Sequence, residues 1–118
     1  MRSQRHRDLS RTQFEVQAAH MVPLSKGGAD DLRNGIALTG TLHWAFDRGF
    51  FGIQGNREVY VPEIIRGDRR NNWLAQFHGK AINEAGDPKY RVNELAIEWH
   101  LENVVNTLEK RFLKEVAP

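Results

Sequence analysis

The sequence contains no cysteine. Disulfide cross-links, thiolate nucleophiles and cysteine-ligated zinc are therefore excluded, and any bound metal must use His, Asp, Glu or Asn. Long apolar runs are also missing, so no segment has the length to span a bilayer. The basic start from Met1 to Arg7 has no apolar stretch behind it and does not read as a secretory signal. Repeats and low-complexity tracts are absent too. The expectation is a soluble, cytoplasmic protein with no membrane partner. What is present suits one compact domain: 118 residues, 40% of them apolar, enough for a single modest core.

Net charge is small, with seventeen Lys and Arg against fifteen Asp and Glu. Its distribution says more. Residues 1–80 hold twelve basic and eight acidic groups, whereas residues 81–118 hold five and seven. Arg2, Arg5, Arg7 and Arg11 crowd a basic N-terminal arm over residues 1–13, and Arg66, Arg69 and Arg70 surround Asp68. Arginine dominates, and its planar fork suits bidentate phosphate contacts. A polyanionic partner fits this pattern, and so does an ordinary solvated surface.

From Phe14 to His20 the sequence alternates, which predicts a half-buried strand with Phe14, Val16, Ala18 and His20 on one face. A polar loop with Gly27-Gly28 and Asp30-Asp31 follows Pro23. Asn34-Gly35 reads as a turn, and Ile36 to Leu38 as a short strand. Thr39 or Thr41 can cap a two-turn helix over residues 41–48, which Gly49 can end. Gly55-Asn56 joins two β segments, residues 50–54 and 57–61, as a two-residue hairpin connection. Residues 71–81 can form a short helix, and Asp87-Pro88 marks a turn. Residues 94–116 repeat apolar positions (Ile97, Leu101, Val104, Val105, Leu108, Phe112, Val116) at helical spacing, with Asn93 as N-cap. That face reads as core packing, with a homodimer through the C-terminal helix as its other use.

Two of the five histidines stand out. His20 ends the first strand just before the glycine-rich loop. His43 lies on the short helix with Asp47 four residues on, where the two share a face and can share a divalent cation. Asp47 also falls in the last helical turn, where the macrodipole disfavours an acid. Either an arginine such as Arg48 or a bound metal can compensate it. Trp44 and Phe46 read as packing residues, and His78 and His100 as structural ones.

The stretch from Val16 to Ile53 resembles the HNH endonuclease family, in the branch with the pattern AAH, then a Gly-Gly loop, NG-x-A-L and H-x-A-F-D-x-G. The His–Asn–His letters fall on His20, Asn34 and His43. The resemblance implies an α+β fold: a ββα-metal core over residues 14–53, with an added β-hairpin and the long C-terminal helix. It implies a single nuclease domain over residues 1–118 that hydrolyses phosphodiester bonds of DNA, double-stranded foremost.

Under that resemblance His20 would be the general base, since imidazole titrates near neutral pH. His43 and Asp47 would hold one divalent ion on the scissile phosphate. Asn34 would fix the loop or orient His20. Arg33 and Arg48, with Arg2, Arg5 and Arg7 of the arm, would contact the nucleic acid. Many relatives carry a further metal ligand directly before the base, where this chain has Ala19. A shell of His43, Asp47 and waters favours Mg²⁺ or Mn²⁺, with Zn²⁺ or Ni²⁺ open to it through imidazole. Such modules serve bacterial defence and phage alike. The competing reading is a non-catalytic nucleic-acid-binding module that keeps the fold.

Overall fold

The computed structural model describes residues 16–84 and 86–116. Phe14, His6 and the arm arginines Arg2, Arg5 and Arg7 lie outside the described residues. Strands β1 (Val16–His20) and β2 (Gly35–Thr39) pair antiparallel, with Val16 opposite Thr39 and His20 opposite Gly35. Helix α1 (Gly40–Asp47) follows β2 without a break and packs back on both strands. This ββα unit is the predicted core.

The alternation in β1 is real, but the buried parity is the opposite one. Ala19 and Met21 are fully buried, while Val16 and Ala18 are exposed. The face carrying Gln17 and Ala19 meets α1, and a small side chain at Ala19 lets the helix approach the sheet closely. Asn34-Gly35 is not a turn either. Asn34 ends a 3₁₀ turn (Leu32–Asn34), is buried, and delivers Gly35 straight into β2. Thr39 is the N-cap of α1, yet its side chain makes no capping bond.

Gly49 ends α1 as its sequence position predicts, with φ of 81°. Its N–H donates to the Phe46 carbonyl and that of Phe50 to the Ala45 carbonyl, the paired bonds of a Schellman motif. A Cβ at Gly49 would sit 2.5 Å from the Val104 carbonyl oxygen, so the C-terminal helix also requires glycine there.

Strands β3 (Gly52–Ile53) and β4 (Val59–Tyr60) make the added hairpin. Its connection is longer than Gly55-Asn56 alone. Arg57 N–H bonds to the Gln54 carbonyl, Gln54 N–H to the Glu58 carbonyl, and Arg57 takes the left-handed position with φ of 68°. That is a turn plus a bulge residue, with arginine where glycine is usual. Arg57 compensates by bonding the Val92 carbonyl at 2.7 Å and Glu84 at 3.3 Å. Two single-turn helices follow, α2 (Glu63–Arg66), which the sequence did not suggest, and α3 (Asn72–Ala75), the only α-helical part of the helix expected over residues 71–81.

The C-terminal helix begins where predicted. Asn93 caps α4 (Glu94–His100) by accepting from Leu95 N–H at 2.7 Å. A π-helical turn (Leu101–Val105) then joins it to α5 (Asn106–Val116). There Asn106 N–H reaches the Leu101 carbonyl, one residue beyond an α-helical bond. The wider turn keeps Ile97, before it, and Val105, within it, both buried.

Buried His100 lies against α1. Its ring stacks on Phe46 with centroids 3.8 Å apart and planes 3° from parallel, and Nε2 bonds the Phe46 carbonyl at 3.0 Å. A carbonyl accepts only, so Nε2 carries the proton and Nδ1, which has no partner among the described residues, stays bare. Burial pushes the His100 pKa down to about 4 from 6.5. In that window the unfolded chain binds the extra proton and the folded one does not. Stability is therefore complete above about pH 6.5 and falls as pH drops toward 4. Urea unfolding should show a loss of about 2 kcal/mol from this group between pH 7 and pH 5, and His100→Gln should lack that part of the slope. An identical slope in the variant would assign it elsewhere.

Candidate active site

β1, the loop over residues 21–34 and α1 place the expected site residues. Asn34 is the fixed point. Its Oδ1 accepts from Val22 N–H at 2.9 Å, and its Nδ2 donates to the carbonyls of Val22 and Ala29, both at 2.8 Å. Its backbone carbonyl accepts from Met21 N–H and so extends the β1–β2 ladder by one rung. Of the two readings for Asn34, fixing the loop is the one these bonds perform. Gly28 makes room for it, since a Cβ there would lie 1.9 Å from the Val22 carbonyl oxygen and 2.8 Å from Asn34 Nδ2.

His43 and Asp47 meet as their spacing predicts, with Nε2 3.2 Å from Asp47 Oδ2. The other ring nitrogen, Nδ1, lies 2.8 Å from Gln17 Oε1 on β1. Both nitrogens therefore face oxygen acceptors. A neutral imidazole has one N–H, so once that proton goes to Gln17 a lone pair on Nε2 confronts a carboxylate. With the proton on Nδ1, a cation between Nε2 and the carboxylate would favour that arrangement; with it on Nε2, the N–H faces Asp47 directly. At that separation both groups could reach one divalent ion. The donor set, an imidazole and a carboxylate with room for water, suits a divalent cation. Among the described residues no group of three or more His, Cys, Asp or Glu side chains gathers to hold a metal. His43 and Asp47 stand side by side as a pair.

Asp47 faces His43 rather than its neighbour Arg48. The Arg48 guanidinium lies 4.5 Å over the exposed Trp44 ring and bonds the Trp44 carbonyl. Trp44 sits half exposed on the helix surface, edge-on to Phe50, whereas Phe46 is in the core. Arg33 is exposed beside Asn34, and its carbonyl ties the loop to α4 by accepting from Asn93 N–H at 2.7 Å. His78 is structural, with Nδ1 accepting from Val61 N–H.

His20 closes β1 and meets Asp30, Nε2 to Oδ1 at 3.1 Å. No hydrogen bond or ion pair joins it to His43, Asp47 or Asn34. His20 and Asp30 line an open groove of about 600 Å³ along the β1–β2 face, with Val16, Ala18, Gly35 and Ala37. A larger groove, about 880 Å³, runs between α2 and α5, but Glu63, Asp68 and Glu109 against one arginine suit a polyanion poorly. Sequence reasoning missed Gln17 and Asp30. The trace of Gln17 was a polar residue two positions before the small Ala19, on the strand parity that proved to face the helix. Asp30 lay hidden in a loop where every residue is polar.

Residues 3–54 match the family model described as HNH endonuclease. That span holds His20, Asn34, His43 and Asp47 and covers somewhat less than half of the chain. Among solved structures the chain is similar to a "Modification dependent TagI restriction endonuclease", with 22% identity and a TM-score of 0.57. The similarity covers 75% of this chain and 27% of that one, so this chain spans about a quarter of that protein's length. At such identity the likeness speaks for the fold. No curated protein matches. The resemblance of this segment to HNH endonucleases is thus borne out, and with it the α+β architecture of a ββα core, an added hairpin and a long C-terminal helix.

Replacing Asn34 by alanine strands two carbonyls and an N–H in a part-buried loop. Asn34→Ala should lower unfolding stability on the order of 3 kcal/mol, read by chemical denaturation. A variant as stable as the wild type would show that the clip does not hold the loop.

Proposed function

We propose that this protein is a metal-dependent endonuclease that hydrolyses DNA phosphodiester bonds, double-stranded DNA foremost. The observation that carries the reading is the histidine set of an HNH-matching segment, displayed on one ββα unit: His20 at the end of β1 and the His43–Asp47 pair on α1. Water is a poor nucleophile, and a phosphodiester repels hydroxide. His20 answers the first difficulty as general base by taking a proton from the attacking water. The water oxygen then bonds to phosphorus. The bond to the leaving sugar oxygen breaks with its electron pair on that oxygen, which takes a proton from solvent.

His43 and Asp47 would hold the divalent ion, with Gln17 setting the tautomer of His43 so that Nε2 faces the metal. Bound there, the ion supplies neutralisation of the charge that builds on the phosphoryl oxygens. With only two protein donors, Mg²⁺ or Mn²⁺ is favoured over Zn²⁺ or Ni²⁺, because the first two retain waters. Arg33 and Arg48 present exposed guanidinium groups on the loop and helix that carry the site, where they suit phosphate contacts. Asn34 supports the reaction indirectly, by holding the loop that follows the base.

Supercoiled plasmid incubated with the protein and Mg²⁺, Mn²⁺, Ni²⁺ or Zn²⁺ should be nicked, and EDTA should stop the reaction. His20→Ala should slow it by roughly 10²- to 10⁴-fold. Wild-type rates from that variant would remove His20 from this role, and DNA retardation without cleavage would make the protein a binding module. In calorimetry, His43→Ala and Asp47→Asn should each weaken divalent-ion binding by about 10-fold or more. Unchanged affinity in both would place the metal elsewhere.

A further inference from the structure

The HNH pattern names three letters and leaves open what holds the base. The structure gives an answer outside the motif. Asn34 makes no hydrogen bond to His20: its oxygen accepts from Val22 N–H, and both of its N–H groups donate to the carbonyls of Val22 and Ala29. Its neighbours in the loop divide differently. Asp31 accepts from Arg33 N–H at 2.8 Å and so shapes the 3₁₀ turn that delivers Asn34. Asp30, one residue earlier, turns its carboxylate to His20 Nε2 at 3.1 Å.

We propose that Asp30 is the positioning residue for His20, selecting the tautomer that leaves Nδ1 free to accept the proton of the attacking water. This rests on the nuclease reading for its catalytic part. A carboxylate accepts only, so the bond requires the proton of neutral His20 to sit on Nε2. Nδ1 is then the bare nitrogen and the basic atom. When it takes the water's proton the ring becomes an imidazolium, and the Asp30 carboxylate stabilises that charge through the same Nε2–H bond. Without Asp30 the two tautomers compete, and a share of the molecules present an N–H to the water.

The placement is consistent with this division of labour. Both side chains line the same open groove on the β1–β2 face, so a phosphodiester lying there has access to the ring. Asp31 is the other titratable group lining that groove, and its bond to the backbone of Arg33 commits it. The loop bearing Asp30 is anchored one residue earlier, where the Ala29 carbonyl accepts from Asn34. In this arrangement Asn34 acts on the base at one remove: it holds the loop, and the loop holds Asp30.

Two measurements separate this from the nuclease reading itself. The first needs no cleavage. ¹⁵N–¹H correlation spectra of the histidine rings should show neutral His20 as the Nε2–H tautomer. In Asp30→Asn that preference should weaken, with the tautomer of His43 unaltered. A His20 ring with the same tautomer in wild type and variant would overturn the proposal, whether or not the protein cuts DNA. The second uses plasmid cleavage. Asp30→Asn should lower kcat by about 10- to 100-fold with KM within about twofold. Asp30→Glu should restore part of kcat. Equal loss in both variants, with kcat and KM changing together, would make Asp30 merely structural and refute the assignment.

Discussion

His100 lies flat on Phe46 and bonds that residue's carbonyl, and four residues later Val104 closes on Gly49. Through this contact the C-terminal helix grips the last turn of α1. Asp47 stands in that turn, with His43 one turn before it. An eight-residue helix is marginal by itself, because its nucleation cost is spread over few hydrogen bonds. Its geometry here comes from being held between β1 and β2 on one side and the C-terminal helix on the other. The stack also explains the buried histidine: its apolar body packs, one nitrogen is satisfied, and it remains neutral.

The loop over residues 21–34 has a different support. Few of its side chains enter the core, so its shape depends on hydrogen bonds. Asn34 supplies three of them, Asp31 one more, and Gly28 permits the approach that lets Asn34 reach Val22. The His43–Asp47 pair rests on helix packing, whereas the His20–Asp30 pair rests on a polar clip. The two halves of the proposed site are therefore separable physically: core mutations should disturb the first, and loop mutations the second. A β1 backbone with Gln17 reaching His43 on one face and His20 on the other links them.

Much of this was readable from spacing. The i to i+4 interval of His43 and Asp47 brings them together on any α-helix, Gly49 had to end that helix, and Asn93 had to cap the next. Those are local rules, and they held. The parity of β1 was not readable. Val16 and Ala18 alternate with Gln17 and Ala19, and apolar content favoured the face that turned out to be exposed. The packing of α1 reversed it, because closeness to the helix mattered more than hydrophobicity. The π-helical turn at Leu101–Val105 was equally invisible, since the apolar spacing on either side of it reads as one helix.

The sequence by itself determined the ββα order and the partner of His43, because each follows from intervals within a single element or motif. Tertiary structure decided which carboxylate meets His20 and what Asn34 does. Those depend on how a polar loop folds back across the end of a strand, and in a stretch where Asp30, Asp31, Arg33 and Asn34 all have hydrogen bonds to offer, sequence order alone ranks none of them.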